Sequence, residues 1–527
     1  MRVLVTDPLS SVALDLLTEA GITADVQLSK TPEELKHFAK DADGWIIRSG
    51  THITAELLDA AGSLKVIGRA GVGVDNIDLE VATKKGVLVV NAPDGNTVST
   101  AEHTCAMMLA LARRIPGAAS SLAGGVWDRK QFSGAELDGK TLGVVGVGKI
   151  GRAVALRMQA FGMRVIGYDP VLSTETAERL NIELVPLERI WAESDVLTFH
   201  TPLNETTRGL LNTESLAQCK DGIRIVNIAR GGIVDESAIL PALESGKVAG
   251  VALDVYSQEP PPKDLQALLA HPNVVATPHI AASTQEAQKK VAVQIVDQVI
   301  KALRGEPVST PVNARAIQNA AQPEVAPYLD LAERLGSIGT QLAQGRVEEV
   351  KVGFTGAGLI RYADVLTLSV LVGVLNRWSE IPVNLINAQT LADEMGLRVE
   401  EVRHGGEGEY SNLLEVTVIS PESTRTIKGT LFGKSEARLV GFDEFPLEVR
   451  LEGHLLFYQN EDRPGMLATV GGLLAEADIN IAGLSLGREA PGTRAITVLT
   501  TDQSLPEQVV RDLHQIKGVD SVFVVSL

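Results

Sequence analysis

Cysteine is nearly missing from this 527-residue chain: Cys105 and Cys219 stand far apart and in no CxxC pattern. That excludes a disulfide framework and a cysteine-rich metal site, so no metal is expected, and it fits a reducing compartment. No uncharged apolar stretch reaches the roughly 18 residues of a membrane span. The opening "MRVLVTDPLS" runs straight into a strand-like pattern, without the basic segment and apolar core of a secretory signal, so a cytoplasmic location is expected. Positive charge is also scarce. Lys and Arg number 48 against 66 Asp and Glu, a net charge of −18, which argues against a binder of nucleic-acid backbone. Short-period repeats are absent too.

What is present is ordinary for a folded protein: 45% hydrophobic and 22% charged residues. At about 100–200 residues per domain, the length implies three or four domains. Up to about Thr97, short apolar runs (Val3–Val5, Gly44–Ile47, Val66–Ile67, Val87–Val90) alternate with helical stretches such as Ser10–Ala20. This alternation implies a parallel sheet with crossover helices. A helical segment, Ser99–Arg114, leads to a second alternating block from Thr141 to about Pro278. Arg304–Pro327, rich in Pro, Ala and Gln, reads as a linker. Residues from about Tyr328 to Gly453 mix helix and strand patterns and support a further α+β core, with no chemical motif. From His454 the order is strand, loop, helix, strand, strand, helix, strand, the ferredoxin-like βαββαβ arrangement.

"KTLGVVGVGKIGRAVALRMQAFGMRVIGYDP" is the most informative run. A strand, Thr141–Val145, meets Gly146, Gly148 and Gly151 in the G-x-G-x-x-G spacing. A helix then closes at Gly162, and a second strand, Arg164–Tyr168, ends at Asp169. Gly146 makes the tight turn, Gly148 lets backbone approach a pyrophosphate, and Gly151 lets helix and strand pack closely. The helix N-terminus offers unpaired N–H groups to that pyrophosphate. Asp169 would accept from the adenosine ribose hydroxyls and repel a 2′-phosphate, so NAD is expected rather than NADP.

Ligands of open α/β sheets bind outside the carboxyl ends of the strands, and three ionisable residues fall where strands of this block should end. Arg230 follows the apolar Ile225–Ala229, Glu259 lies in "DVYSQEP", and His279 follows "NVVATP". Oxidising a hydroxy acid requires a base for the hydroxyl proton, an acid that orients and stabilises that base, and a cation for the carboxylate. His279 suits the first role, Glu259 the second and Arg230, with its planar fork, the third. Blander readings stand beside these: a turn histidine, a solvated loop carboxylate, and an Arg230 ion pair with Asp235 or Asp254.

"GVGKIG…YDP", "NIARGGIVDE", "ALDVYSQEPP" and "TPHIAAS", joined by "GRAGVGVDNIDL" and "NAPDGNTVSTAEHT", resemble the D-isomer-specific 2-hydroxyacid dehydrogenase family over roughly the first 310 residues. The resemblance implies an α/β fold with a Rossmann-like NAD-binding domain (98–284) inserted in a flavodoxin-like substrate domain (1–97, completed by about 285–315). An α+β intervening domain (320–453) of assembly or regulatory type would follow, then an ACT-like tail (454–527). It implies hydride transfer from C2 of 3-phosphoglycerate to NAD, giving 3-phosphohydroxypyruvate, the first committed step towards serine. By the same resemblance Arg230, Glu259 and His279 are catalytic. Gly146, Gly148, Lys149, Ile150, Gly151, Asp169, Thr201, Ile228, Ala229, Arg230, Asp254, His279, Ala281 and Ala282 would contact the cofactor. Arg48, Arg69, Asn96 and Arg230 would hold substrate, with Arg129 reaching across from a partner subunit. Val72 departs from relatives that carry threonine there.

"FYQNEDRPGMLATVGGLLAEADINIAGLSLG" resembles an ACT domain, a small-molecule sensor. The resemblance implies serine as effector, held by Asn460, Asp462 and, from a neighbouring chain, Asn480, and hence a homodimer or homotetramer. Two motifs are decoys. Gly483–Gly487 fits the G-x-S-x-G nucleophile elbow but lies along a strand, without the strand-to-helix turn that chemistry needs. "GTLFGKS" (Gly429–Ser435) is one residue short of a phosphate loop and sits between strand patterns. Two other functions remain open: a dehydrogenase of glycerate, glyoxylate or a longer acid, and a dinucleotide-sensing binding protein.

Overall fold

The computed structural model describes residues 1–314, 316–320, 322–404 and 409–527. Four sheets organise them. The first is parallel, in the order Thr23–Val26, Arg2–Val5, Gly44–Ile47, Val66–Arg69, Leu88–Asn91. Its strands read as continuous apolar runs because both faces are covered: Val3, Leu4, Trp45, Ile46, Ile47 and Ile67 are all buried. One cover comes from far along the chain. Helix Gln285–Leu303 lays Ile295 and Val299 on this sheet. A Cβ at Gly68 would stand 2.5 Å from the Val299 side chain, so glycine sets how closely that helix approaches.

The second sheet is parallel and seven-stranded. Its order is Val274–Ala276, Val248–Leu253, Ile223–Asn227, Val196–Phe199, Thr141–Val145, Arg164–Tyr168, Glu183–Leu184. The order reverses between Thr141–Val145 and Val196–Phe199, the switch point where a doubly wound sheet opens a crevice. Helix Thr97–Ala112 enters this unit and Thr284 leaves it. The two crossings are tied together, since Ser99 Oγ and Thr284 Oγ1 lie 2.7 Å apart and Thr284 also caps the helix it starts.

The stretch read as a linker is not free. Val312 N donates to Val89 O at 2.8 Å, Val89 N donates to Asn313 Oδ1 at 2.9 Å, and Pro311 bridges Val90. The segment therefore covers the outer edge of strand Leu88–Asn91, where unpaired backbone groups would otherwise face solvent. Its Pro and Gln content conceals this, because the pairing partner lies over 200 residues earlier. Arg315 and Ala321 of that stretch lie outside the described residues.

A third, six-stranded sheet runs in the order Arg398–His404, Glu349–Thr355, Leu413–Ile419, Thr424–Phe432, Glu436–Phe442, Phe445–Arg450. Helices Ala326–Leu342 and Ala363–Leu375 bury against it. The last sheet, Ile481–Arg488, Arg494–Thr501, His454–Glu461, Val519–Ser526, is antiparallel with two helices on one face, the expected ferredoxin-like unit. Gly483–Gly487 lies within strand Ile481–Arg488, and Gly429–Ser435 spans a hairpin, so neither decoy has the backbone its motif needs. Among the described residues no helix is long and apolar enough to cross a membrane.

Candidate active site

The glycine turn sits at the switch point. Gly146 has φ +92°, and a Cβ on it would lie 2.6 Å from His200 O; a Cβ on Gly151 would lie 2.1 Å from Gly146 O. Neither position admits a side chain. At Gly148 nothing lies within 4 Å of a Cβ position, so the backbone is open to a ligand. Helix Lys149–Ala160 starts there with no side-chain cap. Asp169 is fixed from both sides: Val147 N donates to Oδ2 at 2.8 Å, and Val171 N and Leu172 N donate to Oδ1. Lys149 Nζ crosses the cleft to Asp94, while Ile150 packs on the core beneath. Thr201 Oγ1 is buried with no partner, and the methyl of the same side chain stands against the Gly146 turn. An open glycine cradle and an unpaired hydroxyl fit a dinucleotide.

Arg230, Glu259 and His279 follow three neighbouring strands at one sheet edge, about 5 Å apart from strand to strand. His279 Nδ1 lies 2.7 Å from Glu259 Oε2, which leaves Nε2 for a substrate. Glu259 Oε1 accepts from Tyr256 N at 3.1 Å, so the acid is itself held. His279 has φ +52°, a left-handed conformation that strains a non-glycine residue and marks sites of function. Asp254 holds that loop in place. Fully buried, it accepts from Thr277 Oγ1 at 2.5 Å and from Ile280 N and Ala281 N at 2.9 Å. Burial alone would raise its pKa, but these bonds and His103 lower it on balance. Its carboxylate oxygens thus hold the loop that carries His279. Ile228 is buried behind the edge, Ala229 N donates to Asn227 Oδ1, and Ala281 is buried with Ala282 half-buried beside it.

Arg230 pairs with neither Asp235 nor Asp254. Asp235 caps helix Glu236–Glu244, and Arg230 Nε reaches 3.2 Å across the cleft to Asp75 Oδ2 of the first domain. Gly73 makes room, since a Cβ there would lie 2.1 Å from Arg230 Nη2. Arg69 stands near. Burial first, then the like charge of Arg230, lowers its pKa to about 10, and its Nε has no partner. It stays charged at neutral pH. Arg48 also lies within electrostatic reach of Arg69. Asn96 Oδ1 is buried and unpartnered at the start of helix Thr97–Ala112. Arg129 does not join this group within one chain: it is exposed, near Trp127, which is 76% exposed. Asp75, His103, Tyr256 and Thr277 escaped sequence reasoning. Only Asp75 carried a signal, an acid in the glycine loop after strand Val66–Arg69.

In the last domain Asn460 Oδ1 is buried without a partner, and Asp462 Oδ2 accepts from Gly492 N at 3.1 Å. Asn480 donates to Asp502 and precedes strand Ile481–Arg488, whose first residue shares a register with His454, the far end of the strand that carries Asn460. One chain therefore keeps Asn480 a strand length from Asn460.

A glycine cradle at a switch point thus shares its cleft with a carboxylate-backed histidine and clustered guanidinium groups, a set suited to oxidising an anionic alcohol with a dinucleotide. Residues 105–281 match the family model "D-isomer specific 2-hydroxyacid dehydrogenase, NAD binding domain", residues 324–443 the D-3-phosphoglycerate dehydrogenase intervening domain, and residues 454–518 the ACT domain. The chain is 41% identical to D-3-phosphoglycerate dehydrogenase of Archaeoglobus fulgidus, over 99% of this chain and all of that one. It is 40% identical to the Bacillus subtilis protein of the same name, over 100% and 99% of the two chains. A glyoxylate reductase structure from Paecilomyes thermophila superposes with TM-score 0.55 at 31% identity, over 59% of this chain and 98% of that one. The chain belongs to the D-3-phosphoglycerate dehydrogenase family, and its cofactor is NAD.

Proposed function

We propose that the chain oxidises 3-phosphoglycerate at C2 to 3-phosphohydroxypyruvate, the entry to serine synthesis. The observation that carries this is the 2.7 Å His279–Glu259 pair at the sheet edge that also carries Arg230. Arg230 grips the substrate carboxylate with two parallel hydrogen bonds, leaving Asp75 to do so. His279 Nε2 accepts the C2 hydroxyl proton, and Glu259 stabilises the imidazolium that forms. NAD, when bound, supplies the acceptor for the C2 hydride. Gly146, Gly148, Lys149 and Gly151 would hold its pyrophosphate, Asp169 its ribose, and Thr201 and the Ile228–Arg230 and His279–Ala282 segments the nicotinamide end. Arg48, Arg69 and Asn96 take the phosphorylated end, with Arg129 of a second copy closing over it.

Residues 1–97 with 285–315 would then be the substrate domain, 98–284 the NAD domain, 320–453 the intervening domain and 454–527 the effector domain. Serine would bind between two copies, on Asn460 and Asp462 of one and Asn480 of the other, in a cytoplasmic dimer or tetramer. The opposite ends at which one chain keeps these residues support a site shared between copies. NADH formation from 3-phosphoglycerate, compared with glycerate and glyoxylate and repeated with millimolar serine, tests the reading. A preference for an unphosphorylated acid overturns it, and NADH formation from any of them disposes of a purely dinucleotide-sensing role.

A further inference from the structure

Glu236 closes the motif "NIARGGIVDE", and the chemistry assigned above gives it no part. It is the first residue of helix Glu236–Glu244. Asp235 already caps that helix, accepting from Ser237 N at 3.1 Å. Both Glu236 oxygens turn instead to one residue of a different loop. Oε1 accepts from Ser257 N at 2.8 Å, and Oε2 accepts from Ser257 Oγ at 2.5 Å. Ser257 stands two residues before Glu259, the acid that backs His279.

The loop from Ser257 to Pro260 has little else to hold it. All four residues are exposed, so burial fixes none of them. The bond from Tyr256 N to Glu259 Oε1 lies within the loop's own turn and moves with it. Among the described residues, the side-chain bonds that reach the loop from another element are those of Glu236 and the His279–Glu259 pair itself. The anchor is rigid, because Ala238, Ile239 and Leu243 bury the helix behind Glu236. The two segments also meet backbone to backbone: a Cβ on Gly231 would lie 2.5 Å from Ser257 N. Arg230 is held separately, by Asn227 Nδ2 donating to its carbonyl at 2.9 Å. Glu236 therefore governs where the acid of the site lies, not where the guanidinium lies. Bonds to an ionised carboxylate are short and strong, and a reacting constellation has to be held within about 0.5 Å of its working geometry.

We propose that Glu236 is a positioning residue: by gripping Ser257 it sets Glu259 against His279 Nδ1, and so governs how fast the substrate hydroxyl loses its proton. The proposal rests on the dehydrogenase reading above and deepens it. The test compares kcat and KM of the parent with those of Glu236→Asp, Glu236→Gln, Glu259→Gln and the double variant Glu236→Asp/Glu259→Gln. Glu236→Asp keeps the charge at the helix start but falls one methylene short of Ser257. Glu236→Gln loses the charge but keeps the reach, its amide oxygen accepting from Ser257 N and its amide nitrogen donating to Ser257 Oγ. Glu236→Asp is therefore expected to lower kcat about tenfold, with KM for the hydroxy acid and for NAD within about twofold of the parent. Glu236→Gln should stay within about threefold of the parent in kcat. Placed on Glu259→Gln, the aspartate change should cost less than about twofold more, since a residue that acts through another does not add to its loss. A Glu236→Asp chain as fast as the parent overturns the proposal. So does Glu236→Gln slower than Glu236→Asp, the order that a charge serving the helix alone would give. The full tenfold loss repeated on Glu259→Gln overturns it as well. A parent that oxidises another hydroxy acid but not 3-phosphoglycerate sinks the substrate reading instead, and the order of the variants on that acid still decides the role of Glu236.

Discussion

Arg230 Nε rests on Asp75 Oδ2, 3.2 Å away across the cleft. A substrate carboxylate must displace that contact, so the two acids compete for one guanidinium. Arg230→Ala should raise KM for the hydroxy acid on the order of 10²-fold, about 3 kcal/mol of charge-assisted hydrogen bonding, far more than it raises KM for NAD. Equal effects on both would refute the carboxylate assignment. Asp75→Asn should lower KM for the hydroxy acid severalfold by removing the competitor; a rise in KM would show instead that Asp75 aims the guanidinium. His200 governs a different property. Burial lowers its pKa to about 3 from 6.5, so the folded ring stays neutral where the unfolded chain binds a proton. Stability should therefore fall as pH drops from 6.5 towards 3, by at most about 1.4 kcal/mol per pH unit. Urea unfolding between those limits should show a flatter acid limb for His200→Asn, and identical limbs would show that His200 contributes nothing to acid lability.

Elements were legible where their signal is local. The strand, glycine turn, helix and terminal Asp169 all lie within thirty or so residues, and each follows from short-range sterics. Arg230, Glu259 and His279 were legible because strand ends are where such sheets do chemistry. Asp75 was not, since its contact with Arg230 joins residues 155 apart, and Asp254 turned out to brace the His279 loop, which needs coordinates to see. The buried helix Ala363–Leu375 shows the same limit. It is apolar on all sides, so no stripe announces its partner. The partner is helix Ala326–Leu342, and the two touch backbone to backbone: a Cβ at Gly336 would lie 2.2 Å from Val370 O, and one at Gly373 would lie 1.9 Å from Glu333 O. Gly336→Ala should cost about 1–3 kcal/mol by overpacking. The loss should appear as an earlier thermal transition of the C-terminal half, while NADH formation holds at temperatures below it. An unshifted transition would show that the helices can part freely.

Across the whole molecule the boundary that composition suggested at Gly453 separates two sheets without separating two cores. Leu455, Phe457, Ile496, Val498 and Val525 of the last sheet belong to the same apolar cluster as Phe442, Phe445 and Leu447 of the third. Phe442 and Phe457 meet in a tilted pair with 5.5 Å between ring centres, and the Arg425 guanidinium lies over both Phe442 and Phe523, at 5.8 and 5.1 Å. The ferredoxin-like unit thus uses one sheet face for its own helices and gives the other to its neighbour. Removing residues 454–527 would strip those side chains from a shared core, with each large one worth about 1.5–3 kcal/mol of burial. A chain ending at Gly453 should therefore lose the thermal transition of its C-terminal half or aggregate, even though the cut falls between sheets. A chain ending near Ala314 keeps the edge-covering Thr310–Asn313 segment and both parallel sheets, and should still form NADH. If the chain cut at Gly453 instead melts as the full protein does, the last sheet is an independent module and an effector bound on it has no packed route to the rest of the fold.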